Sequence, residues 1–196
     1  MAPGEPAPAQ PAPAQPAAAQ PAAAITLPSV LPVRRRTVTQ DVINAWAELS
    51  GDHNPLHVDP DWARTTRYGR TIAHGFMSLS VLSAAVEEWL GGAWPDGSTM
   101  EAKFVAPVFA DDELRTEGKV TAREELSSPV PATLLRCELR CLAYGPDSTS
   151  DSTDASTGGR VVIAADAGIV LPPAVQLTQP DQADPNPSDT EKGAAQ

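Results

Sequence analysis

Two helices stand out in the pattern of apolar and polar positions. The segment "TQDVINAWAELSG" has helical spacing, with Thr39 as N-cap and Gly51 at its end. Its predicted buried face comprises Val42, Trp46 and Leu49. Between Phe76 and Leu90 apolar residues cover nearly every side of a second helix, which ends at two glycines. A helix that is apolar all round predicts a central, buried element.

The rest of the chain has the patterns of strands. "SVLPVRRRTV" predicts a short leading strand. Four longer ones follow the second helix, in "STMEAKFVAPV", "DELRTEGKVTA", "ATLLRCELRCLAY" and "GRVVIAADAGIVL". The simplest packing wraps a curved antiparallel sheet around the buried helix, so we expect an α+β fold.

Composition marks the two ends as tails. Of 21 prolines, seven fall in residues 1–24 and five in the last 25 residues. We therefore expect a disordered Pro/Ala-rich tail over 1–27, one domain over 28–172 with a flexible insertion at 145–159, and a disordered acidic tail over 173–196. The first tail lacks the basic and apolar regions of a signal peptide, and no apolar stretch is long enough to span a membrane. These features favour a cytoplasmic protein with no membrane partner.

The net charge and the two cysteines give only general indications of partners and location. The net charge is −11, and a chain without a basic face is not expected to bind nucleic acid. The run Arg34–Arg36 is open to two interpretations, a phosphate clamp or solvated charge along an exposed strand. Cys137 and Cys141 are about 13 Å apart along one strand, too far for a disulfide, and unpaired thiols fit a cytoplasmic location.

Candidate chemistry lies in the loop "LSGDHNPLHVDPDW" (49–62), which we expect to be neither helix nor strand. Asn54 precedes a proline and avoids helical dihedrals, so a turn must bring Asp52 and His57 together. A carboxylate and an imidazole that meet can activate one water. The same residue types also build ordinary turns. The clustering of all three histidines in residues 53–74, in loops beside the central helix, favours the catalytic interpretation.

Two residues of the central helix, Gly75 and Ser83, also have two interpretations each. Gly75 either simply starts the helix or lets a ligand approach its first free N–H groups, which stabilise negative charge. His74 can be a structural hydrogen-bonding residue. Ser83 either bonds back to a carbonyl one turn earlier or contacts a ligand. Asn54 is a further candidate for substrate binding.

Several other chemistries lack their motifs. The chain has no HExxH, no CxxC, no GxSxG elbow and no glycine-rich phosphate loop. We therefore predict no metal site, and the remaining choices are acid–base catalysis or no catalysis.

The two motifs "AELSGDHNPLHVDPDWA" and "YGRTIAHGFMSLSVLS" closely resemble the MaoC-like dehydratase family, over about residues 33–171. Typical members are (R)-specific enoyl-CoA hydratases with the hot-dog fold. The resemblance implies that Asp52 and His57 form the catalytic dyad. It also implies that the Gly75 N–H holds the thioester carbonyl and that Ser83 lines the pocket.

The implied reaction is reversible hydration of a trans-2-enoyl thioester to an (R)-3-hydroxyacyl thioester, with no cofactor. The implied partners are an acyl thioester of CoA or of acyl carrier protein and a second copy of the chain in a homodimer whose sheets join edge to edge.

Other functions remain open. One is a dehydratase that acts on carrier-bound chains in lipid or polyketide synthesis, which would use the same residues. Another is a catalytically silent hot-dog subunit that binds an acyl ligand, although the presence of both Asp52 and His57 argues against it. A thioesterase shares the fold but has no support from the loop motif.

Overall fold

The computed structural model of the protein describes residues 25–127, 129–146, 158–173 and 175–179. The expected disorder of residues 1–24, of most of the insertion and of residues 180–196 concerns segments outside this described part. In chain order its elements are β1 Thr26–Pro28, β2 Arg35–Thr37, α1 Gln40–Ser50, α2 Pro55–Val58, α3 Pro60–Arg64, α4 Gly75–Leu90, β3 Thr99–Phe104, β4 Glu113–Leu126, β5 Ala132–Tyr144, β6 Arg160–Leu171 and β7 Gln176–Thr178.

Five strands form one antiparallel sheet in the order β2-β4-β5-β6-β3, which confirms the α+β class. The three long strands β4, β5 and β6 are its centre, and the short strands β2 and β3 are its edges. In β5 the alternate residues Leu135, Cys137, Leu139 and Cys141 are buried, as a strand with one buried face requires.

The central helix α4 packs against this sheet. Leu82 and Val86 of α4 are buried in one core cluster with side chains of β5 and β6. The expectation that protein surrounds the helix on all sides is wrong for a single chain. Phe76 is 71% exposed, and Glu87 and Glu88 lie on the surface. The local pattern reports which residues are apolar but not which of them the fold leaves exposed.

The predicted leading strand, residues 29–38, is regular only over β2, and the further short strand β1 precedes it. Pro28 ends β1 and Pro32 lies before β2, and a proline has no N–H to continue a ladder. The folded part also extends past the expected boundaries at residues 28 and 172. β1 pairs in parallel with β7, and Leu27 and Val175 beside this pair are buried.

The first helix begins and ends as predicted. The Thr39 hydroxyl accepts a hydrogen bond from the Val42 N–H at 3.2 Å, and Gly51 ends α1 in the left-handed conformation with φ 74°. The buried face is shifted, however, because Ile43 and Ala47 are buried whereas Leu49 is 80% exposed.

Cys137 and Cys141 are both free and buried, as expected for thiols in a core strand. Desolvation by burial raises the pKa of Cys137 to about 11 and that of Cys141 to about 12. At neutral pH these thiols are protonated and contribute as small apolar side chains. In the described part of the chain, every helix is too short or too polar to cross a membrane.

The packing of α4 gives a stability prediction. Leu82→Ala should lower the free energy of unfolding by about 2–5 kcal/mol, since it removes fully buried methyl groups from the core. The matched control Leu49→Ala, on the exposed face of α1, should change it by less than about 0.5 kcal/mol. Urea denaturation of both variants measures the difference, and equal losses would contradict this placement of α4.

Candidate active site

The loop after α1 contains a helical turn that sequence reasoning missed. Asn54 has non-helical dihedrals, as its place before a proline predicts, and its side-chain oxygen accepts from the Leu56 N–H at 3.0 Å. Pro55 is then the first residue of α2, a position that suits its fixed φ. His57 therefore lies on a short helix and not in an irregular loop.

Hydrogen bonds on both sides fix His57. Its Nδ1 lies 2.8 Å from the carbonyl oxygen of Ile72, and because a carbonyl only accepts, Nδ1 carries the hydrogen. In the neutral ring Nε2 is consequently a bare lone pair. The backbone oxygen of His57 accepts from the Gln40 side chain at 2.9 Å, and Gln40 in turn accepts from the Thr71 hydroxyl at 2.5 Å.

His74 is the buried member of the group, with only 3% of its surface exposed. It is the N-cap residue of α4, and its Nε2–H donates to the backbone carbonyl of Asp52 at 2.9 Å. Its Nδ1 is buried without a hydrogen-bond partner in the described part of the chain, which costs about 1–3 kcal/mol for such an atom. Burial lowers the pKa of His74 below its usual value, although the hydrogen bond to Asp52 opposes the shift.

The structure brings Asp52, His57 and His74 together. A carboxylate oxygen of Asp52 and one ring nitrogen of each histidine all lie within 4.8 Å of one another. The two imidazoles are stacked, with ring centroids 3.8 Å apart and an angle of 29° between the planes. The Asp52 side chain is 56% exposed, and its Oδ1 accepts from the Asn54 N–H at 3.2 Å. One carboxylate and two imidazole rings thus share a small volume.

The hydrogen bonding of this group suits proton transfer better than metal binding. His57 Nδ1 and His74 Nε2 both donate to backbone carbonyls, so neither has a lone pair for an ion. The free nitrogen of His74, Nδ1, is enclosed by protein. His57 Nε2 and the Asp52 carboxylate then remain for an incoming molecule.

A cavity of about 470 Å³ lies beside His57. Its walls are mainly apolar, with Phe104 and Val105 at the end of β3 and Val162 and Ile163 from β6. Gly75, the first residue of α4, also lines it. The first N–H groups of a helix have no partner within the helix and can bind a negatively charged oxygen.

The candidate residues differ in whether they line the cavity. His57 and Gly75 line the cavity, and Asp52 lies next to His57, outside the lining residues. Ser83, expected to line the pocket, is not among them, and its hydroxyl accepts from the Trp94 indole N–H at 2.9 Å. Ser83 lies on the turn of α4 that packs against Trp94, two turns beyond Gly75.

Ser78 lines the cavity instead, and sequence reasoning missed it. Its place three residues after Gly75, on the same helical face, is the signal that could have identified it. Asn54 is exposed and uses its side-chain oxygen to cap α2.

Comparison with known proteins places this site in a family. Residues 24–133 match the family described as "MaoC like domain". The (R)-specific enoyl-CoA hydratase of Rhodospirillum rubrum is 31% identical over 137 residues, which cover 70% of this chain and 82% of that enzyme.

Two further relatives match over shorter stretches. The (R)-specific enoyl-CoA hydratase of Aeromonas caviae is 40% identical over 83 residues, 42% of this chain. The 3-hydroxyacyl-thioester dehydratase Z of Mycobacterium tuberculosis is 50% identical over 46 residues, 24% of this chain. The matched stretches span 62% and 30% of these two relatives.

Solved structures show the same architecture. The (R)-hydratase from A. caviae superimposes with a TM-score of 0.56 at 27% identity, covering 78% of this chain and all of that one. A MaoC-like dehydratase from Rhodospirillum rubrum gives 0.57 at 21% identity, covering 74% of this chain and 91% of that one, and supports the fold alone. The chain therefore belongs to the MaoC-like domain family and has its hot-dog fold.

Proposed function

We propose that this protein catalyses the reversible syn hydration of trans-2-enoyl thioesters to (R)-3-hydroxyacyl thioesters. The observation that carries the proposal is the meeting of the Asp52 carboxylate and the His57 imidazole within 4.8 Å, beside a cavity that the start of α4 lines. The enoyl-CoA hydratases and the thioester dehydratase among its relatives support this reaction class.

The proposed mechanism uses one water molecule. The water is held between His57 Nε2, whose lone pair accepts a proton, and the Asp52 carboxylate. Its oxygen forms a bond to the β-carbon, and a proton is delivered to the α-carbon on the same face, so both groups of the dyad return to their starting states.

The Gly75 N–H would stabilise the intermediate. Addition of hydroxide to the β-carbon moves negative charge onto the thioester oxygen, which becomes enolate-like. The first N–H of α4 points at this oxygen in the proposed complex and combines a hydrogen bond with the positive end of a 16-residue helix. In the reverse direction the same groups eliminate water.

The proposed reaction is compatible with either thioester carrier and with either direction. Attack at the β-carbon needs only the conjugated thioester, so a CoA ester or a carrier-protein ester fits the reaction. Dehydration uses the same residues. The presence of Asp52 and His57 close to each other favours an active enzyme over a silent acyl-binding subunit.

We also propose a cytoplasmic location, which two unpaired buried thiols favour.

We propose a homodimer in which the free edges of two β3 strands meet. β3 is an edge strand of the sheet, and the exposed apolar residues Phe104 and Val105 lie at its end. Phe76 lies against Phe104, with ring centroids 6.1 Å apart. A second copy would cover this apolar edge. An exposed apolar edge strand is otherwise prone to aggregate by pairing with other chains.

The first activity prediction concerns the dyad. Asp52→Asn and His57→Ala should each lower kcat on a short enoyl-CoA by about 10²-fold or more, because each removes a proton-transfer group. Loss of the conjugated-thioester absorbance measures the rate. Asp61→Asn and His53→Ala, which change exposed residues of the same types, serve as controls and should retain wild-type turnover. No turnover by the wild type on short, medium and branched enoyl-CoA and enoyl carrier-protein esters would favour the silent subunit.

The second activity prediction isolates the backbone N–H of Gly75. His74 has φ −62° and ψ 137°, which is the conformation a residue before proline adopts, and Gly75 is the first helical position, where proline fits. Gly75→Pro removes the N–H, whereas Gly75→Ala retains it and adds a methyl group 3.2 Å from the Phe104 ring. We expect kcat of the proline variant to be about 10²-fold lower than that of the alanine variant. Equal kcat values for the two variants would argue against a catalytic role of the Gly75 N–H.

The third prediction concerns assembly. Sedimentation equilibrium should give about twice the chain mass of 20.5 kDa for the wild type. Phe76→Glu should shift the protein towards the monomer, because it places a charge in the apolar edge. Val130→Glu changes a side chain with similar exposure outside that edge and should remain dimeric. A monomeric wild type would contradict the proposed pairing.

A further inference from the structure

One buried residue at the site has no part in the proposed proton transfers. His74 contacts both Asp52 and His57, yet it is not among the residues that line the cavity. Its second nitrogen is enclosed without a partner in the described part of the chain. A buried polar atom without a partner is unfavourable, so a histidine at this place calls for a reason beyond the filling of space.

We propose that His74 is a positioning residue whose Nε2–H holds the backbone of Asp52 and whose ring face holds the His57 imidazole, so that the two groups converge on one water. This inference rests on the proposed hydration function. It assigns to His74 no contact with the substrate and no proton transfer.

The contact with Asp52 fixes an otherwise exposed residue. Asp52 follows the end of α1 and has a half-exposed side chain that accepts from the nearby Asn54 N–H. The hydrogen bond from His74 Nε2 to the Asp52 carbonyl joins this loop to the start of α4, 22 positions further along the chain. The same nitrogen lies 4.0 Å from Asp52 Oδ2, so the carboxylate lies beside the ring.

The contact with His57 fixes the plane of its ring. The covalent bond to Cβ and the hydrogen bond from His57 Nδ1 to Ile72 hold one edge of the ring. Stacking of the two rings at 3.8 Å limits the remaining tilt of the ring. The Nε2 lone pair of His57 then has one direction, which is what a general base requires.

His74 can perform this task only as a neutral ring. The titratable groups that face it are Asp52, His57 and His53, and of these Asp52 alone favours a charged imidazole. Burial, the neighbouring histidines and the positive end of α4 all disfavour the cation. Protonation would also place a second N–H at the enclosed Nδ1, where the described residues offer no acceptor. The geometry therefore favours a neutral His74 with its hydrogen on Nε2.

A first experiment uses the wild-type protein without substrate. The chain has three histidines, so nitrogen NMR of the imidazoles gives a simple spectrum that single substitutions assign. We expect His57 to be the Nδ1–H tautomer and His74 the Nε2–H tautomer. We also expect His74 to remain neutral at the pH where an ordinary histidine becomes charged, because burial lowers its pKa. A charged His74 ring at neutral pH, or the opposite tautomer of His74, would overturn the proposal.

A second experiment separates the two contacts. His74→Phe retains a ring to stack on His57 and loses the N–H, whereas His74→Gln retains an N–H near the same place and loses the ring. Each should lower kcat by about tenfold with KM within about twofold, and His74→Ala, which loses both contacts, should lower kcat by about 10²-fold. The His57 tautomer, which the Ile72 carbonyl sets, should be retained in both variants, whereas the His57 ring signals should shift in the Gln variant, which loses the stacked ring.

His53→Gln is the matched control, because His53 is an exposed histidine of the same loop whose nearest acid is Glu48. It should leave kcat and the His57 signals unchanged. Circular dichroism checks folding, and if the Ala variant does not fold, the Phe and Gln variants decide. Wild-type kcat with an unchanged His57 signal in both variants would show that His74 only fills space.

The two experiments distinguish this inference from the proposed function. Absence of turnover by the wild type would contradict the hydration reaction, while the NMR signals of His57 and their response to the His74 variants would still test the positioning role. Conversely, an active enzyme with unperturbed Phe and Gln variants would retain the function and remove the role of His74.

Discussion

The change from extended backbone at His74 to helix at Gly75 is the constraint on which the rest of the site depends. This one peptide places three groups at once: the His74 side chain points back to the Asp52 carbonyl and the His57 ring, Gly75 begins α4 at the cavity, and Ser78 follows one turn later. A shift of the helix start by one residue would rotate all of them by about 100° around the helix axis. The interior of α4 must therefore be fixed, which its burial against the sheet provides.

The segment between β3 and β4 also fixes the chain just before this change. The Ala73 N–H donates to the Val108 carbonyl at 2.7 Å, and Ile72 forms a bridge with Phe109. The buried carboxylate of Asp112 supports that segment, because it accepts from the Phe109 N–H and from Arg160 at 3.0 Å each. The guanidinium of Arg70 lies over the Phe109 ring and donates to the Ala110 carbonyl. The carbonyl of Ile72, which orients His57, is thus part of a well-supported backbone.

The regular elements were predictable because their periodicity reflects one buried face. The alternation in "ATLLRCELRCLAY" defines β5, and Thr39 and Gly51 mark α1 by their capping chemistry. The short helix α2 was missed because Pro55 marks a turn as well as the first position of a helix. Exposure of Phe76 was missed because an apolar residue at the surface and one in the core look alike in sequence.

The sequence identified which residues come together at the candidate site better than it identified their geometry. Asp52 and His57 were identified by residue type, clustering and family resemblance, and the structure brings them together. Ser83 and Ser78 both lie on α4, and residue type cannot tell which faces a cavity formed by β3 and β6. The stacking of His57 on His74 joins residues from α2 and the start of α4, and only the three-dimensional path of the chain produces it.

The proposed dimer would favour the proposed chemistry by excluding water from the site. In the single chain the Asp52 side chain is 56% exposed, and Phe76, Phe104 and Val105 present apolar surface near the cavity. Water around a half-exposed site weakens every hydrogen bond that stabilises an enolate, since charge interactions fall as the dielectric constant rises. A second copy over the apolar edge would exclude bulk water near the cavity and leave room for the reacting molecule. The Gly75 N–H would then act in a less polar environment, where one such donor has its largest effect on the rate.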